Sequence, residues 1–258
     1  MKTRKLWIGF ILVMVVSFAV LAYYGNEIYR KAPPIPEKVV SENGEVVFTG
    51  QDIRDGQNVW QSTGGQELGT VWGHGAYKAP DWTADWLHRQ SVYILDQWSN
   101  QEHGIPYDEL DEENQAGLRA RLQKSMRTNR YNPDNESITI PSEQVEAFRF
   151  VSRHYSDLFM DGEGYDDLRE SYSIPANSIK TQDRMDKMNT FFWWATWATV
   201  TNRPGSDITY TNNWPPEELV ANKPTSSLIL WTGFSVIILL AGIGLLAWYY
   251  AVNRDDNE

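Results

Sequence analysis

Cysteine is absent from all 258 residues of this sequence. The absence excludes disulfides, thiolate zinc sites, iron–sulfur clusters, thiol nucleophiles and the CxxCH motif that attaches a c-type haem. It does not identify the cellular compartment, because an exported domain of this size can form its core without disulfides. The chain therefore cannot carry a covalently attached c-type haem.

Histidine is scarce, and the common catalytic motifs are missing. No two histidines are placed at i and i+4 or in an HExxH motif, so no closed metal or haem site is expected from this chain alone. The GxSxG motif, the phosphate-binding loop and the dinucleotide fingerprint do not occur, and sequence spacing isolates no catalytic pair of carboxylates. From its residues alone, the chain is predicted to be a non-catalytic module. The histidines are His74, His88, His103 and His154.

Basic residues are outnumbered by acidic ones, 23 to 34, which gives a net charge of −11. Three cations precede the first long apolar run and a charge of −2 follows the second, so residues 25–226 carry −12. An acidic surface of this kind repels nucleic acid and anionic lipid headgroups. We therefore expect no nucleic-acid partner.

Two long apolar runs without a charged residue lie near the ends of the sequence, Leu6–Tyr24 and Leu228–Tyr250. As a helix, the first would rise roughly 28 Å, close to the hydrocarbon thickness of about 30 Å. The cations Lys2, Arg4 and Lys5 place its start in the cytoplasm, so the residues between the two runs would lie outside. A cleaved secretory signal is the alternative for the first run, and it would export the same residues.

These runs predict a protein of the cytoplasmic (inner) cell membrane that crosses the bilayer twice. Gly233, Gly242 and Gly244 in the second run would let another helix approach closely, or would only make a lipid-facing helix flexible. The predicted parts are a cytoplasmic N-terminus (1–5), a first transmembrane helix (6–24), an exported, periplasmic-side domain (25–226), a second transmembrane helix (227–250) and a cytoplasmic tail (251–258).

The exported domain is predicted to be mainly helical. Capping residues and apolar spacing indicate its helices, and the last one is so rich in aromatic residues that it should be central to the core or pressed against another protein. Residues 99–140 are polar and are predicted to be an insertion over the core, with an acidic helix near 108–128. The predicted helices begin after Thr49, at Asp81 or Thr83, at Ser142 with that serine as cap, and at about Thr181, and they end near Gly64, Trp98, Phe159 and Val200.

Two motifs resemble the N-terminal region of quinol-dependent nitric oxide reductases. The first is GQNVWQSTGGQELGTVWGHGAYKAPDWTADWLHR, from Gly56 to Arg89. The second joins FFWWATW (191–197) and TNRPG (201–205) to YTNNWPPE (210–217). Both motifs are rich in rare residues and occur in the order of the family. The resemblance covers nearly the whole chain and is weakest over residues 100–140.

The resemblance implies a mainly α, haem-free, cytochrome-c-like exported domain between two transmembrane helices. In that family, one polypeptide fuses this domain to a many-helix membrane unit of the haem–copper oxidase superfamily. Haem b, the active-site haem and the non-haem iron belong to that unit, which uses quinol to convert two molecules of nitric oxide to nitrous oxide and water during denitrification.

The resemblance also indicates where a haem has been lost. In cytochrome-bearing relatives, CxxCH precedes the segment that resembles Gly73 to Tyr77. The matching window here, Gly65 to Gly69, contains neither cysteine nor histidine. Covalent attachment and the proximal ligand are both missing, so no covalently bound cofactor is expected.

One metal site is implied by the same relatives. They hold a calcium ion between haem propionates and backbone oxygens of a Gly-Ala-Tyr segment, which Gly75-Ala76-Tyr77 matches. Backbone carbonyls suit calcium, a hard cation that prefers oxygen ligands. The alternative is a tight turn that packs Tyr77 into the core, and both can hold together. Calcium at Gly75 and Tyr77, at an interface with a partner, is therefore a prediction.

The sequence stops shortly after the second apolar run, before the helices that ligate haem and iron in the family. We therefore expect that this chain does not reduce nitric oxide alone, and that a large catalytic subunit with haem b and non-haem iron completes the enzyme, unless the sequence is a truncated product. The alternatives are a stand-alone membrane-anchored scaffold or binding module, and an accessory subunit of another enzyme of the haem–copper oxidase superfamily. The candidates for docking on that subunit, or for the core, are Trp72, His74, Tyr77, Trp82, Trp86, Trp193, Trp194 and Trp197.

Overall fold

The computed structural model of the protein describes residues 2–73 and 79–253. The chain divides into two compact units, residues 1–35 and residues 36–258. The first unit contains helix α1 (Lys2–Arg30), whose most apolar window is fully exposed. The helix continues past Tyr24, its predicted apolar end, in a polar turn where Glu27 pairs with Arg30 at 3.3 Å and with Lys31 at 2.8 Å.

The second unit is mainly helical and ends in another exposed apolar helix, α8. Helices α1 and α8 have 29 and 28 residues, so each rises more than about 40 Å and is long enough to cross a bilayer. The helices of this unit are α2 (Gly50–Ser62), α3 (Trp82–His103), α4 (Glu112–Arg127), α5 (Ser142–Phe159), α6 (Asp166–Tyr172), α7 (Gln182–Val200) and α8 (Ser226–Asn253), with single 3-10 turns at Gly65–Glu67, Tyr107–Glu109 and Glu218–Val220.

Two helices begin where a side chain hydrogen-bonds the free backbone N–H groups of the first turn. Thr49 caps α2, as the sequence predicts, and forms a reciprocal capping box with Asp52. The Asp81 side chain caps α3. Ser142 does not cap α5: it is the first helical residue, Pro141 holds the cap position, and no side chain bonds the free backbone N–H groups there. The predicted cap at Ser142 is therefore wrong by one residue.

A small four-stranded sheet, which the sequence did not indicate, lies beside the helices. Its strands are β1 (Lys38–Ser41), β2 (Val46–Thr49), β3 (Tyr131–Asn132) and β4 (Ser137–Ile140), in the order β2-β1-β4-β3. Strands β1 and β2 form an antiparallel hairpin, β1 and β4 pair in parallel, and β3 and β4 are antiparallel. The parallel pair joins segments about 100 residues apart in the chain, which explains why local patterns did not reveal it.

Residues 99–140 contribute to the core, in contrast to the predicted insertion lying over it. Leu118, Leu122 and Met126 of α4 are buried against apolar residues of α3, and Ile138 of the central strand β4 is fully buried. A polar average over this segment hid the three apolar positions of α4, which recur four residues apart along one helix face.

Helix α7 forms the centre of the domain, and every residue from Met188 to Val200 is buried. Helix α2 packs on it at Gly56, where an added Cβ would lie 1.9 Å from the Lys187 carbonyl oxygen and 2.9 Å from the Phe191 Cβ. The aromatic helix expected either at the core or at a partner surface is thus a core helix.

Candidate functional site

Trp82, Trp86 and Trp193 lie inside the aromatic core. Trp82 and Trp86 are fully buried, and Trp193 is 2% exposed. The Trp82 ring stacks on Phe192 with 5.8 Å between centroids, and the Trp86 ring stacks on Tyr155 at 5.2 Å. These tryptophans therefore stabilise the domain from within and are not available to a partner.

Trp72, Trp194 and Trp197 lie nearer the surface than these three. The Trp72 indole N–H donates to the Ala195 carbonyl oxygen at 2.9 Å, and its ring lies 5.7 Å from that of Trp194. Trp194 and Trp197 are 8% and 6% exposed, whereas Trp72 is half-buried. Of the predicted tryptophans, Trp72 is the one with substantial surface. The predicted residues His74, Gly75 and Tyr77 lie outside the described residues.

Asp81 ties the chain just before residue 74 to the start of α3. One carboxylate oxygen accepts hydrogen bonds from the backbone N–H groups of Thr83 and Ala84 at 3.0 and 2.9 Å and from the Thr83 hydroxyl. The other accepts from the Thr70 hydroxyl and the Gly73 N–H, both at 2.5 Å. The segment that leads to the predicted calcium site is therefore anchored on the N-terminus of a core helix.

A polar network on the first two turns of α3 was not predicted. Asp85 Oδ2 accepts from the Tyr155 hydroxyl at 2.6 Å and from Arg89 Nε at 2.7 Å. Burial raises the pKa of Tyr155 well above its ordinary value, and the charge and hydrogen bond of Asp85 add to this effect. The i,i+4 spacing of Asp85 and Arg89 on a predicted helix was a visible signal for the ion pair. The tyrosine, which comes from α5, had no such signal.

His154 lies at the edge of this network. Its Nδ1 is 2.9 Å from the Tyr165 hydroxyl, and its ring contacts Tyr155 edge-on at 5.2 Å between centroids. Burial lowers the pKa of His154 from 6.5 to about 4, and the positive charge of Arg89 acts in the same direction. The side chain is therefore neutral at physiological pH, as expected of a structural histidine.

The irregular segment between α7 and α8 is held by hydrogen bonds to α4 and the loop after it. Arg127 donates to the Asp207 carbonyl oxygen at 2.7 Å and to the side-chain oxygens of Asn213 and Asn222 at 3.2 and 3.3 Å. Asn222 in turn donates to the carbonyl oxygen of Pro215 at 2.6 Å. Burial lowers the pKa of Arg127, although a guanidinium stays charged. The connection to the second apolar helix is thus held by polar contacts, of which the Asn222–Pro215 bond is buried.

Comparison with known protein families identifies the family to which this chain is related. Residues 36–216 match the NorB cytochrome c-like domain of nitric oxide reductase. The chain belongs to this family. The match spans the domain between α1 and α8, so the predicted resemblance to the N-terminal region of nitric oxide reductase and the mainly α fold class are confirmed. The family and the two apolar helices together make this a membrane protein. A search of curated proteins found no match.

The residues of this cytochrome c-like domain do not fit a covalently held haem. By the resemblance to cytochrome-bearing relatives, Gly69 stands at the histidine position of CxxCH. A Cβ on Gly69 would lie 2.4 Å from Trp82 Nε1 and 2.5 Å from its Cε2. The Trp82 indole therefore takes the volume that any side chain at position 69 would need. By the same resemblance, Gly65 and Leu68 stand at the two cysteine positions of CxxCH.

The structure brings no metal-ligand cluster together in residues 2–73 and 79–253: no group of three or more His, Cys, Asp or Glu side chains there could hold an ion. His88 lies 3.0 Å from Glu217, and His154 lies beside Tyr165, so these two histidines have separate partners. Calcium at Gly75 and Tyr77 concerns residues outside this part of the chain and stays a prediction.

His154 is expected to make the domain less stable on acidification. The unfolded side chain takes up a proton near pH 6.5, whereas the folded one does so only at about 4, so its stabilisation is present above pH 6.5 and is lost as the pH falls towards 4. Because the ring is partly solvent-accessible and screened, we expect a loss of about 1–2 kcal/mol. Urea unfolding of the full chain in detergent at about pH 7 and about pH 4.5 measures it.

His154→Gln is the informative variant, because glutamine can keep a hydrogen bond to Tyr165 but does not titrate. It should show a smaller fall in unfolding free energy between the two pH values than the native chain. The carboxylates titrate alike in both proteins and cancel in the comparison. An identical fall in both proteins would show that His154 does not carry this pH dependence.

Proposed function

We propose that this chain is the haem-free accessory part of a quinol-dependent nitric oxide reductase. It caps and stabilises a haem–copper-type catalytic membrane unit, which carries haem b and non-haem iron and which another chain supplies. The match of residues 36–216 to the NorB cytochrome c-like domain carries this proposal. Quinol would supply the electrons and protons with which the partner converts two nitric oxide molecules to nitrous oxide and water.

The proposed absence of haem is supported by the residue at position 69 and by the packing of the Trp82 indole beside it. The sequence has no cysteine to form a thioether, and Gly69 has no side chain that could act as a proximal ligand. The Trp82 indole, stacked on Phe192 and edge-on to Phe159 at 5.4 Å, fills the neighbouring core. Aromatic packing would then take the structural role that a bound haem has in cytochrome-bearing relatives.

An accessory role is supported by the way the domain connects to α8. Arg127 and Asn222 hold the segment before this helix against the folded domain. A fixed connection lets the domain set the position and tilt of α8. Gly233, Gly242 and Gly244 leave open space beside α8, because a Cβ added at any of them would meet no other atom within 4 Å. We propose that α8 packs there against the catalytic bundle.

The domain is proposed to lie on the exported, periplasmic side of the cytoplasmic membrane. The cations before the apolar part of α1 favour a cytoplasmic start for that helix. The charge of −12 on residues 25–226 then faces away from the cytoplasm, and it disfavours close contact with anionic lipid headgroups.

The test is quinol-dependent nitric oxide consumption by membranes from cells with and without this chain. Membranes lacking the chain should lose most of the consumption, and expression of the full chain should restore it. An immunoblot should show that the catalytic subunit is depleted together with this chain. Unchanged consumption without the chain would contradict the proposal and would favour a stand-alone scaffold. Loss of quinol-dependent oxygen consumption instead would assign the chain to an oxidase of the same superfamily.

A further inference from the structure

A group of basic side chains lies on the C-terminal half of α4 and the loop after it, inside a domain of the opposite net charge. Residues 114–133 contain five cations and neither aspartate nor glutamate, whereas residues 25–226 together carry −12. The first three cations are exposed and the last two are half-buried. The acidic surface of the domain is therefore interrupted by a positive patch. We call its members the α4 basic cluster: Arg119, Arg121, Lys124, Arg127 and Arg130.

Ion pairs neutralise little of this positive charge. Arg121 pairs with Glu102 at 2.5 Å, and the other four members form no ion pair with the part of the chain that the structure describes. Arg127 donates to the Asp207 carbonyl oxygen at 2.7 Å, and Arg130 donates to another backbone carbonyl oxygen at 2.6 Å. These acceptors are neutral, so they satisfy hydrogen bonds without cancelling the charge.

The helix dipole accounts for only part of the cluster. Cations are favoured in the last turn of a helix, which explains Lys124 and Arg127. Arg119 and Arg121 precede that turn, and Arg130 follows the end of the helix. The cluster therefore extends beyond what the stability of α4 requires.

The charged side chains of neighbouring segments leave the patch positive. Asp207 is exposed beside Arg127, and Glu218 is exposed on the 3-10 turn that packs against α4. Together with Glu102, they offset part of the positive charge. Lys223, which is exposed just before α8, adds to it.

The cluster is held close to the start of the second apolar helix. The Arg127 side chain donates to the side-chain oxygen of Asn222 at 3.3 Å, and buried hydrogen bonds fix Asn222 to the domain. Three residues then separate Asn222 from α8. This link and the first residues of α8 span at most about 17 Å between Asn222 and Leu228, where the apolar run begins. Lipid headgroups extend about 5–8 Å beyond the hydrocarbon core, so they lie within reach of the cluster.

We propose that the α4 basic cluster binds the headgroups of anionic phospholipids in the membrane that α8 crosses. The lipid phosphates accept hydrogen bonds from the exposed side chains of Arg119 and Lys124. Salt limits the repulsion by the net charge of −12 to about 8–10 Å, so the local positive charge decides the interaction at contact. Binding would fix the orientation of the domain on the bilayer. This inference rests on the membrane location of the chain and not on the proposed reductase function.

Quenching of a single fluorescent label tests the proposal, and the lack of cysteine makes an introduced thiol unique. The full chain with Gln123→Cys, an exposed position within the cluster, is labelled with bimane and placed in lipid nanodiscs. A fixed fraction of the phosphatidylcholine carries a nitroxide quencher on its headgroup. Replacing about 30% of the unlabelled phosphatidylcholine by phosphatidylglycerol should increase the quenching about twofold. Sodium chloride at about 0.5 M should remove this increase.

Arg119→Gln combined with Lys124→Gln should abolish most of the increase, because each cation near an anionic surface contributes roughly fivefold to binding. Both side chains are exposed, so the unfolding midpoint should stay that of the native chain. Arg54→Gln combined with Lys180→Gln is the matched control. It removes the same charge from exposed positions on α2 and before α7, and it should leave the increase intact.

Two results would overturn the proposal. The first is equal or weaker quenching in the discs with phosphatidylglycerol, which would leave an acidic protein surface as the occupant of the cluster. The second is an increase that survives the loss of Arg119 and Lys124, because the lipid would then be attracted by another part of the chain.

Discussion

Gly56→Ala is expected to lower the free energy of unfolding by about 3 kcal/mol or to prevent folding. The added methyl would lie 1.9 Å from the Lys187 carbonyl oxygen, a collision with backbone that no change of side-chain rotamer relieves. Helix α2 would have to move away from α7, which loosens the packing of Trp60 on Phe191, now 5.6 Å apart between ring centroids. Urea unfolding of the full chain in detergent, followed by tryptophan fluorescence, measures the loss.

Gly117→Ala is the matched control for this substitution. Gly117 also lies inside a helix, α4, but a Cβ there would meet no other atom within 4 Å. The only effect left is the better helix propensity of alanine, so this variant should be stabilised by about 0.5–1 kcal/mol. If both variants behaved alike, the close approach of α2 and α7 at Gly56 would not be a feature of the folded protein.

Trp82→Ala should be the other severe change, with a loss of about 3–5 kcal/mol. The side chain is 0% exposed and contacts the rings of Tyr155, Phe159, Tyr172 and Phe192. Its removal leaves a large cavity in the middle of the aromatic core. The same urea titration measures this loss.

Trp214→Ala removes an equal number of atoms from a site that is 36% exposed. Since that indole already contacts water, its loss should cost well under half as much as the loss of Trp82. Equal losses for the two variants would contradict the view that Trp82 fills the centre of the domain.

The main helices were predictable because their signals are local. Thr49 and Asp52 give a capping box, Asp81 precedes a helical pattern, and the dense aromatic spacing of α7 identifies a core helix. Helix α3 nevertheless runs five residues beyond its predicted end near Trp98, to His103, where Gly104 adopts a left-handed conformation. An end signal of this kind is easily missed inside a polar segment.

The sheet and the role of residues 99–140 depended on contacts between distant segments. Strand β4 has four residues, and its pairing with β1 follows from tertiary structure and not from local propensity. Its Ile138 is buried only because that pairing exists. The hydrogen bond from Tyr155 to Asp85 also depends on tertiary structure, because it joins two helices through residues 70 positions apart.

The candidate residues were identified by rarity and resemblance, which do not distinguish core from surface. The structure separates them: Trp82, Trp86 and Trp193 are core residues, and Trp72 keeps accessible surface.

Affinity purification of the full chain from native membranes in mild detergent, followed by absorption spectroscopy and mass spectrometry, tests the central claim most directly. We predict that a large catalytic partner co-purifies in stoichiometric amount and gives the spectrum of haem b, with all haem extractable because none is covalently attached. A stable chain recovered alone and colourless would contradict an accessory role in a nitric oxide reductase.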